Sequence, residues 1–254
     1  MILLLDIGNT HVHLGVADAR AVRRQGQMPT ADLTHARGLD QIRRFVGSRS
    51  VTGLAWCSVV PKASRGLERR LRRLWPVPAI ELTHRTVRGI RIRYPRPETI
   101  GPDRLANALA ATHHYGAPSV VIDFGTAVTF DVTNAQSCYV GGIIAPGLAM
   151  MTDYLHDRTA LLPRIHIRET RAVIGKSSEQ AMRIGALHGY RGMIRELLGR
   201  LRTELKHPRL PVLATGGYAR LICRGLPEVT RVEDRLTLEG LRLLWTSHHQ
   251  PPRS

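Results

Sequence analysis

The apolar run MILLL at residues 1–5 ends in Asp6-Ile7-Gly8-Asn9-Thr10. A carboxylate closing a buried strand, a glycine admitting close backbone approach, and an amide and a hydroxyl directly after it can hold phosphate oxygens and the water shell of a magnesium ion. The same residue types also build an ordinary hairpin turn. A second copy weighs against turn chemistry alone. SVVIDFGTAVTFDVTN at 119–134 repeats the arrangement, with Asp123 and Gly125 each 117 residues after Asp6 and Gly8.

A third carboxylate stands in Gly101-Pro102-Asp103-Arg104, which opens a predicted helix over 102–115 with Pro in its first turn and Gly116 past its end. The macrodipole favours an acid there, so Asp103 is expected to stay ionised with a near-ordinary pKa. Two readings fit: a base beside an arginine clamp, or a capping acid. The pairs Gly141-Gly142 and Gly216-Gly217 could bring bare backbone against a flat ring or a phosphate, or could mark bulges.

Other chemistries lack their motifs. The chain has no GxxxxGK[ST] loop, no GxGxxG after a strand, no HExxH and no GxSxG elbow. His113 and His114 are adjacent and would point apart on a helix, which does not suit a metal site. Cys57 lies in an apolar strand and reads as inert core.

The elements around these residues alternate between the two regular periods. Val12, Leu14, Val16 and Val128, Phe130, Val132 follow the period of strands, so each Asp-x-Gly is read as strand, tight turn, strand. Strands are predicted over 53–60, 79–82 and 210–214. A helix is predicted over 64–75, with Leu67, Leu71 and Leu74 facing the core and Arg69, Arg70, Arg72 and Arg73 facing water. The longest helical pattern runs from Ser178 to Leu205, and Ala181, Gly185 and Gly189 on it would let another backbone approach closely. The class is α/β. A repeat of 117 residues is no solenoid period and points to two related lobes, 1–116 and 117–246, with 247–254 a disordered tail.

Composition bounds the partners. The chain has 254 residues, 43% of them apolar, enough for a sizeable core. Aromatics are only 5%, too few for a stacking platform along a single strand. Three cysteines without a CxxC pair exclude a disulfide scaffold and fit a reducing compartment. The longest stretch without charge, 132–152, is broken by Pro146 and three glycines, so no membrane helix is expected and a cytoplasmic protein is read. Lys plus Arg total 37 against 20 Asp plus Glu, a formal charge of +17. That field attracts anions, whether acidic small molecules or nucleic acid, but no basic tail or zinc-finger pattern gathers it.

Taken together, DIGNT at 6–10, YPRPETIGPDR at 94–104, DFGTAVTFD at 123–131, GGIIAPG at 141–147, LHDRTALLP at 155–163, IGKSSEQAM at 174–182 and TGG at 215–217 resemble, in order, the motifs of type III pantothenate kinases. The resemblance spans nearly the whole chain. It implies the acetate and sugar kinase/Hsp70/actin superfamily: two duplicated ribonuclease-H-like lobes with mixed β-sheets flanked by helices, and ATP in the cleft between them. The repeat is what such a duplication would leave.

Position by position, the resemblance implies ATP-dependent phosphorylation of pantothenate to 4′-phosphopantothenate in coenzyme A biosynthesis. Asp6, Ile7, Gly8, Asn9, Thr10, His11, Val12 and His13 would form the first phosphate loop, with Asp6 near the magnesium that accompanies ATP. Thr126 would touch ATP and Asp123 would ligate a monovalent cation, potassium or ammonium. Asp103 would be the base. Tyr94, Gly101, Pro102, Arg104 and Ser178 would line the pantothenate site, Ser178 standing where the family usually has Thr and Pro102 where it often has Ala. A homodimer is implied. Two alternatives stay open at this point: another small-molecule kinase of the superfamily, and a basic nucleic-acid-binding regulator, for which binding would be salt-sensitive and would survive Asp103→Asn.

Overall fold

A computed structural model describes residues 1–249. The chain divides into two compact units, one made of Met1–Gly116, Ser137–Val140 and the segment from Arg235 onward, the other of Ala117–Gln136 and Gly141–Asp234.

The first unit begins with an antiparallel meander of β1 (Ile2–Ile7), β2 (His11–Ala17) and β3 (Val22–Pro29). A short 3-10 turn, Thr30–Thr34, leads into helix α1 (Ala36–Val46). Strand β4 (Gly53–Ser58) returns parallel to β1, after a crossover that includes α1. Helices α2 (Pro61–Ser64) and α3 (Leu67–Leu74) lead to β5 (Ala79–Glu81), and the sheet order is β3-β2-β1-β4-β5. All six residues of β1 are buried, as expected of a strand covered on both faces, and its run of leucines is the sequence form of that burial. Strand β6 (Arg91–Ile92) pairs with Cys138 and Tyr139, and helix α4 (Pro102–Tyr115) has the predicted limits.

The second unit repeats the opening hairpin as β7 (Ser119–Phe124) and β8 (Ala127–Thr133), followed by β9 (Cys138–Pro146). Helix α5 (Leu148–Asp157) comes next, then α6 (Ser178–Ile184) and α7 (Tyr190–Glu204). Strand β10 (Val212–Thr215) lies parallel to β7, helix α8 (Ala219–Cys223) follows, and β11 (Arg231–Val232) lies parallel to β10. The order from the edge is β11-β10-β7-β8-β9. The two hairpins differ by one residue. Ile7 pairs with Val12 and Phe124 with Val128, so the offset falls from 117 before the turn to 116 after it and the first turn is the longer.

Three expectations change. The pattern over 178–205 is interrupted: a π-helical segment, Gly185–Gly189, separates α6 from α7. A Cβ at Gly185 or Gly189 would meet no neighbouring described atom, so of the three stripe residues only Ala181 is closely approached, by Gly175, whose built Cβ would stand 2.5 Å from Ala181 N. The segment from Arg235 groups with the first unit rather than with residues 117–234. Helix α9 (Leu236–His249) packs on α4 and behind β1 and β4, with Gly240 so close to α4 that a Cβ would stand 2.1 Å from Ala106 O. Gly53 gives the same kind of room to the Trp245 ring, at 2.1 Å from a built Cβ. Ser247–His249 are helical, while 250–254, the rest of the expected tail, lie outside the described residues.

Candidate active site

Asp6 is the penultimate residue of β1 and lies in register with Cys57 on the parallel strand β4. The Cys57 thiol donates to Asp6 Oδ1 at 3.4 Å. Burial, then the charges of Asp6 and Asp103, push the Cys57 thiol up, which keeps it a protonated donor. Cys57 is thus buried as expected, but it orients a carboxylate as well as filling the core. The turn after Asp6 is closed by Gly8 N–H donating to His11 O at 3.0 Å. Asn9, Thr10, His11 and His13 are exposed, whereas the side chains of Ile7 and Val12 are fully buried, so those two residues bring only backbone to the loop.

Helix α4 carries Asp103 in its first turn, with Gly101 as N-cap and Pro102 at the first helical position. Arg104 N–H donates to Asp103 Oδ1 at 2.9 Å. Burial pushes the Asp103 carboxyl above its ordinary 3.8, opposed by that hydrogen bond and by the Arg104 charge. The near-ordinary pKa expected from the macrodipole alone is therefore corrected upward, because desolvation outweighs the helix end and the arginine. The Arg104 guanidinium lies 5.8 Å from the centroid of the Tyr139 ring, and Tyr94, partly exposed, meets the same ring edge-on at 6.3 Å. Strand β6 delivers Tyr94 there by pairing with Tyr139's own strand. Tyr139 was not singled out in the sequence; a single tyrosine in an apolar strand carries no signal of its own.

In the second unit Asp123 occupies the matching place on β7, half-buried and in register with Thr215 on β10. Gly216, with φ +92°, follows directly. A Cβ there would stand 2.6 Å from Asp123 Oδ1 and from the Phe124 backbone. Gly125 and Thr126 form an exposed turn backed by Gly147, where a Cβ would come within 2.0 Å of Thr126 O. Both glycine pairs noted in the sequence thus lie in segments that end against the second turn. Ser178 is the exposed first residue of α6. The cap is its neighbour: Ser177 Oγ accepts from Gln180 N–H at 3.2 Å, and Gln180 Oε1 accepts from Lys176 N–H at 2.8 Å.

Each unit therefore presents a strand-end carboxylate beside an exposed turn that offers amide and hydroxyl groups. Among the described residues no group of three His, Cys, Asp or Glu side chains could hold a metal ion by itself. A divalent cation held at Asp6 would take its remaining ligands from phosphate oxygens and water, as magnesium does with nucleotides. The residues fit that group.

The fold is one of mixed sheets flanked by helices in two ribonuclease-H-like lobes. A Campylobacter jejuni structure described as a Baf family transcriptional activator superposes with TM-score 0.63 at 18% identity, covering 97% of this chain and 98% of that one. A Listeria monocytogenes protein described as an N-acetylmannosamine kinase gives 0.52 at 13% identity, covering 98% and 99%. A profile of the type III pantothenate kinases matches residues 2–200. Type III pantothenate kinases of Methylacidiphilum infernorum and Akkermansia muciniphila are 43% and 45% identical, each over 95% of this chain and over 87% and 96% of their own length. The chain belongs to the type III pantothenate kinase family.

Proposed function

We propose that this chain transfers the terminal phosphoryl group of ATP to the 4′ hydroxyl of pantothenate, the first step of coenzyme A biosynthesis, with Asp103 as the base. Family membership carries the kinase activity, the ATP and the divalent cation. The observation that carries the base is the half-buried Asp103 carboxylate, raised by burial and held beside Arg104 at the start of α4. Phosphoryl transfer passes through a loose transition state in which positioning and charge neutralisation do most of the work, so a carboxylate suffices as base. An upward shift makes its ionised form a stronger one.

The remaining roles follow the same reading. The Asp6–His13 turn and Thr126 hold the nucleotide phosphates. Magnesium, when bound, neutralises their charge, with Asp6 as its protein ligand. Asp123 holds a potassium or ammonium ion. Arg104 faces the pantothenate carboxylate, and Tyr94, Gly101, Pro102 and Ser178 complete that site. The basic surface draws both anionic substrates.

The enzyme acts in the cytoplasm as a homodimer. The dimer is supported by large apolar side chains left exposed in the second unit, Ile144, Tyr154, Leu161, Val173 and Ile174 among them, more than scattered singly. Sedimentation should give twice the chain mass, and Leu161→Asp with Ile174→Asp should return it to one. The deciding assay is ATP-dependent phosphorylation of pantothenate, with acetate, glycerol and hexoses as controls. Phosphorylation of a control in preference to pantothenate would move the reading to another kinase of the superfamily.

A further inference from the structure

The first phosphate turn is held from behind by a residue outside every motif. Thr30, only 5% exposed, stands where β3 passes into the 3-10 turn. Its hydroxyl donates to Gly8 O at 2.7 Å and its backbone N–H donates to Thr10 O at 3.0 Å. Two carbonyls of one short turn are thus drawn to the same residue. We infer that Thr30 is a positioning residue that sets the direction of the turn's amide groups toward the nucleotide.

The reason is peptide planarity. A trans peptide points its C=O and the following N–H in opposite directions. Fixing Gly8 O and Thr10 O on Thr30 therefore turns the N–H groups of Asn9 and His11 away from it. Amide groups aimed in one direction from a tight turn are what an anionic oxygen needs. Without the brace, the three residues between the strands lose two of the hydrogen bonds that define their peptide planes.

Thr30 is itself fixed by its surroundings. Asp32, buried two residues on, accepts from Gln41 Nε2 at 2.9 Å and pairs with Arg37. The Arg70 guanidinium reaches from α3 to Leu33 O at 2.9 Å. Gly38 packs so tightly on the turn that a Cβ would stand 2.3 Å from Asp32 O. A brace anchored on three sides transmits little slack to the loop that it holds.

The inference rests on the reading of residues 6–13 as the ATP phosphate loop, so the experiment includes a variant in that loop. Thr30→Val keeps the shape and removes the hydroxyl; Thr30→Ala removes it without bulk, and Thr30→Ser restores it. Asn9→Asp places a negative charge on the exposed turn. KM for ATP, KM for pantothenate, kcat and the calorimetric affinity for ADP are measured on each. Thr30→Val and Thr30→Ala are expected to raise KM for ATP and weaken ADP roughly tenfold, the worth of about one hydrogen bond, with KM for pantothenate unchanged and Thr30→Ser close to the parent. An Asn9→Asp defect in ATP with no effect of either Thr30 variant overturns the brace and leaves the loop standing. No Asn9→Asp effect removes the loop reading and the brace with it. Equal losses for both substrates, unrescued by Ser, reduce Thr30 to a structural residue.

Discussion

Gly101 is packed against the carboxylate that it precedes by two residues: a Cβ built on Gly101 would stand 2.5 Å from Asp103 Oδ1. Its φ of −57° is open to any residue, so the glycine is required by the carboxylate's position and not by the backbone. Gly101→Ala should therefore fold and keep its Tm within a few degrees while the Asp103 side chain is displaced. A displacement of about 1 Å at a reacting group can cost on the order of 100-fold, so kcat should fall by about 10- to 100-fold. Steady-state kinetics with a thermal melt checks both. A kcat within twofold of the parent would show that the carboxylate's present position is not the productive one.

Asp103→Asn removes the proposed base outright. The loss in kcat should exceed ~100-fold, the usual worth of general acid–base help. Stability should move the other way. Burial raises the folded-state pKa of Asp103, so the folded protein holds that proton more tightly than the unfolded chain. Its favourable contribution is complete below the ordinary carboxylate pKa and is lost as pH rises through the raised value. Above that value the ionised side chain is a net cost. Asn at this site should leave Tm at pH 7 equal or higher, with the advantage absent at pH 3. An active Asp103→Asn enzyme would return the residue to helix capping.

The same shift sets a pH limb for the reaction. The base works ionised, so kcat/KM should fall with acid around a pKa above that of a free aspartate. The limb should vanish in Asp103→Asn, whatever residual rate remains. Arg104→Leu removes one influence that holds the pKa down, so it should carry the limb further upward in pH besides weakening pantothenate binding. A limb unmoved by Arg104→Leu would assign the titration to another group.

Asp123 and Gly216 make a separate test for the monovalent cation. Activity should be higher in potassium or ammonium than in sodium, and Asp123→Asn should abolish the difference. Gly216→Ala is strained twice, by the φ of +92° and by the contact with Asp123 Oδ1. It should cost more in the potassium response than in the rate measured without potassium. Equal rates in sodium and potassium for the parent enzyme would remove the role given to Asp123 and leave the kinase intact.

The arginines of α3 separate surface charge from structure. Arg69 and Arg73 are exposed, so reversing both to Glu should lower kcat/KM modestly and mainly at low salt, since the Debye length is only ~8 Å at physiological ionic strength. Turnover at saturation should hardly change, because a remote charge binds ground and transition states alike. Arg70 belongs to a different class, as its guanidinium is bound to Leu33 O and does not simply face water as the helix pattern suggested. Arg70→Ala should lower Tm and raise KM for ATP through the turn that carries Thr30. If the Glu pair instead abolished tight DNA binding shown by the parent, nucleic acid would enter as a second partner.

Local chemistry was enough to find most of the parts. Asp-x-Gly after an apolar run, twice at one spacing, specifies strand, turn and strand wherever the chain goes, and the strand pairing reproduces both hairpins. Helix α4 begins at Pro102 and stops before Gly116 because those residues start and end helices by their own geometry. Tertiary structure alone decided the rest. The helix from Leu236 joins the first unit because Gly240 and the alanines of α4 let two backbones meet, a match between segments about 130 residues apart that no local pattern encodes. Asp103 rises in pKa because of what buries it, while its sequence neighbours all argue for an easily ionised acid. Thr30 and Tyr139 belong with the site through partners distant in sequence, Gly8 for one and Arg104 for the other. Short-range rules fix which residues turn, cap and alternate; desolvation and packing depend on which distant residues arrive, and those are set only when the chain has folded.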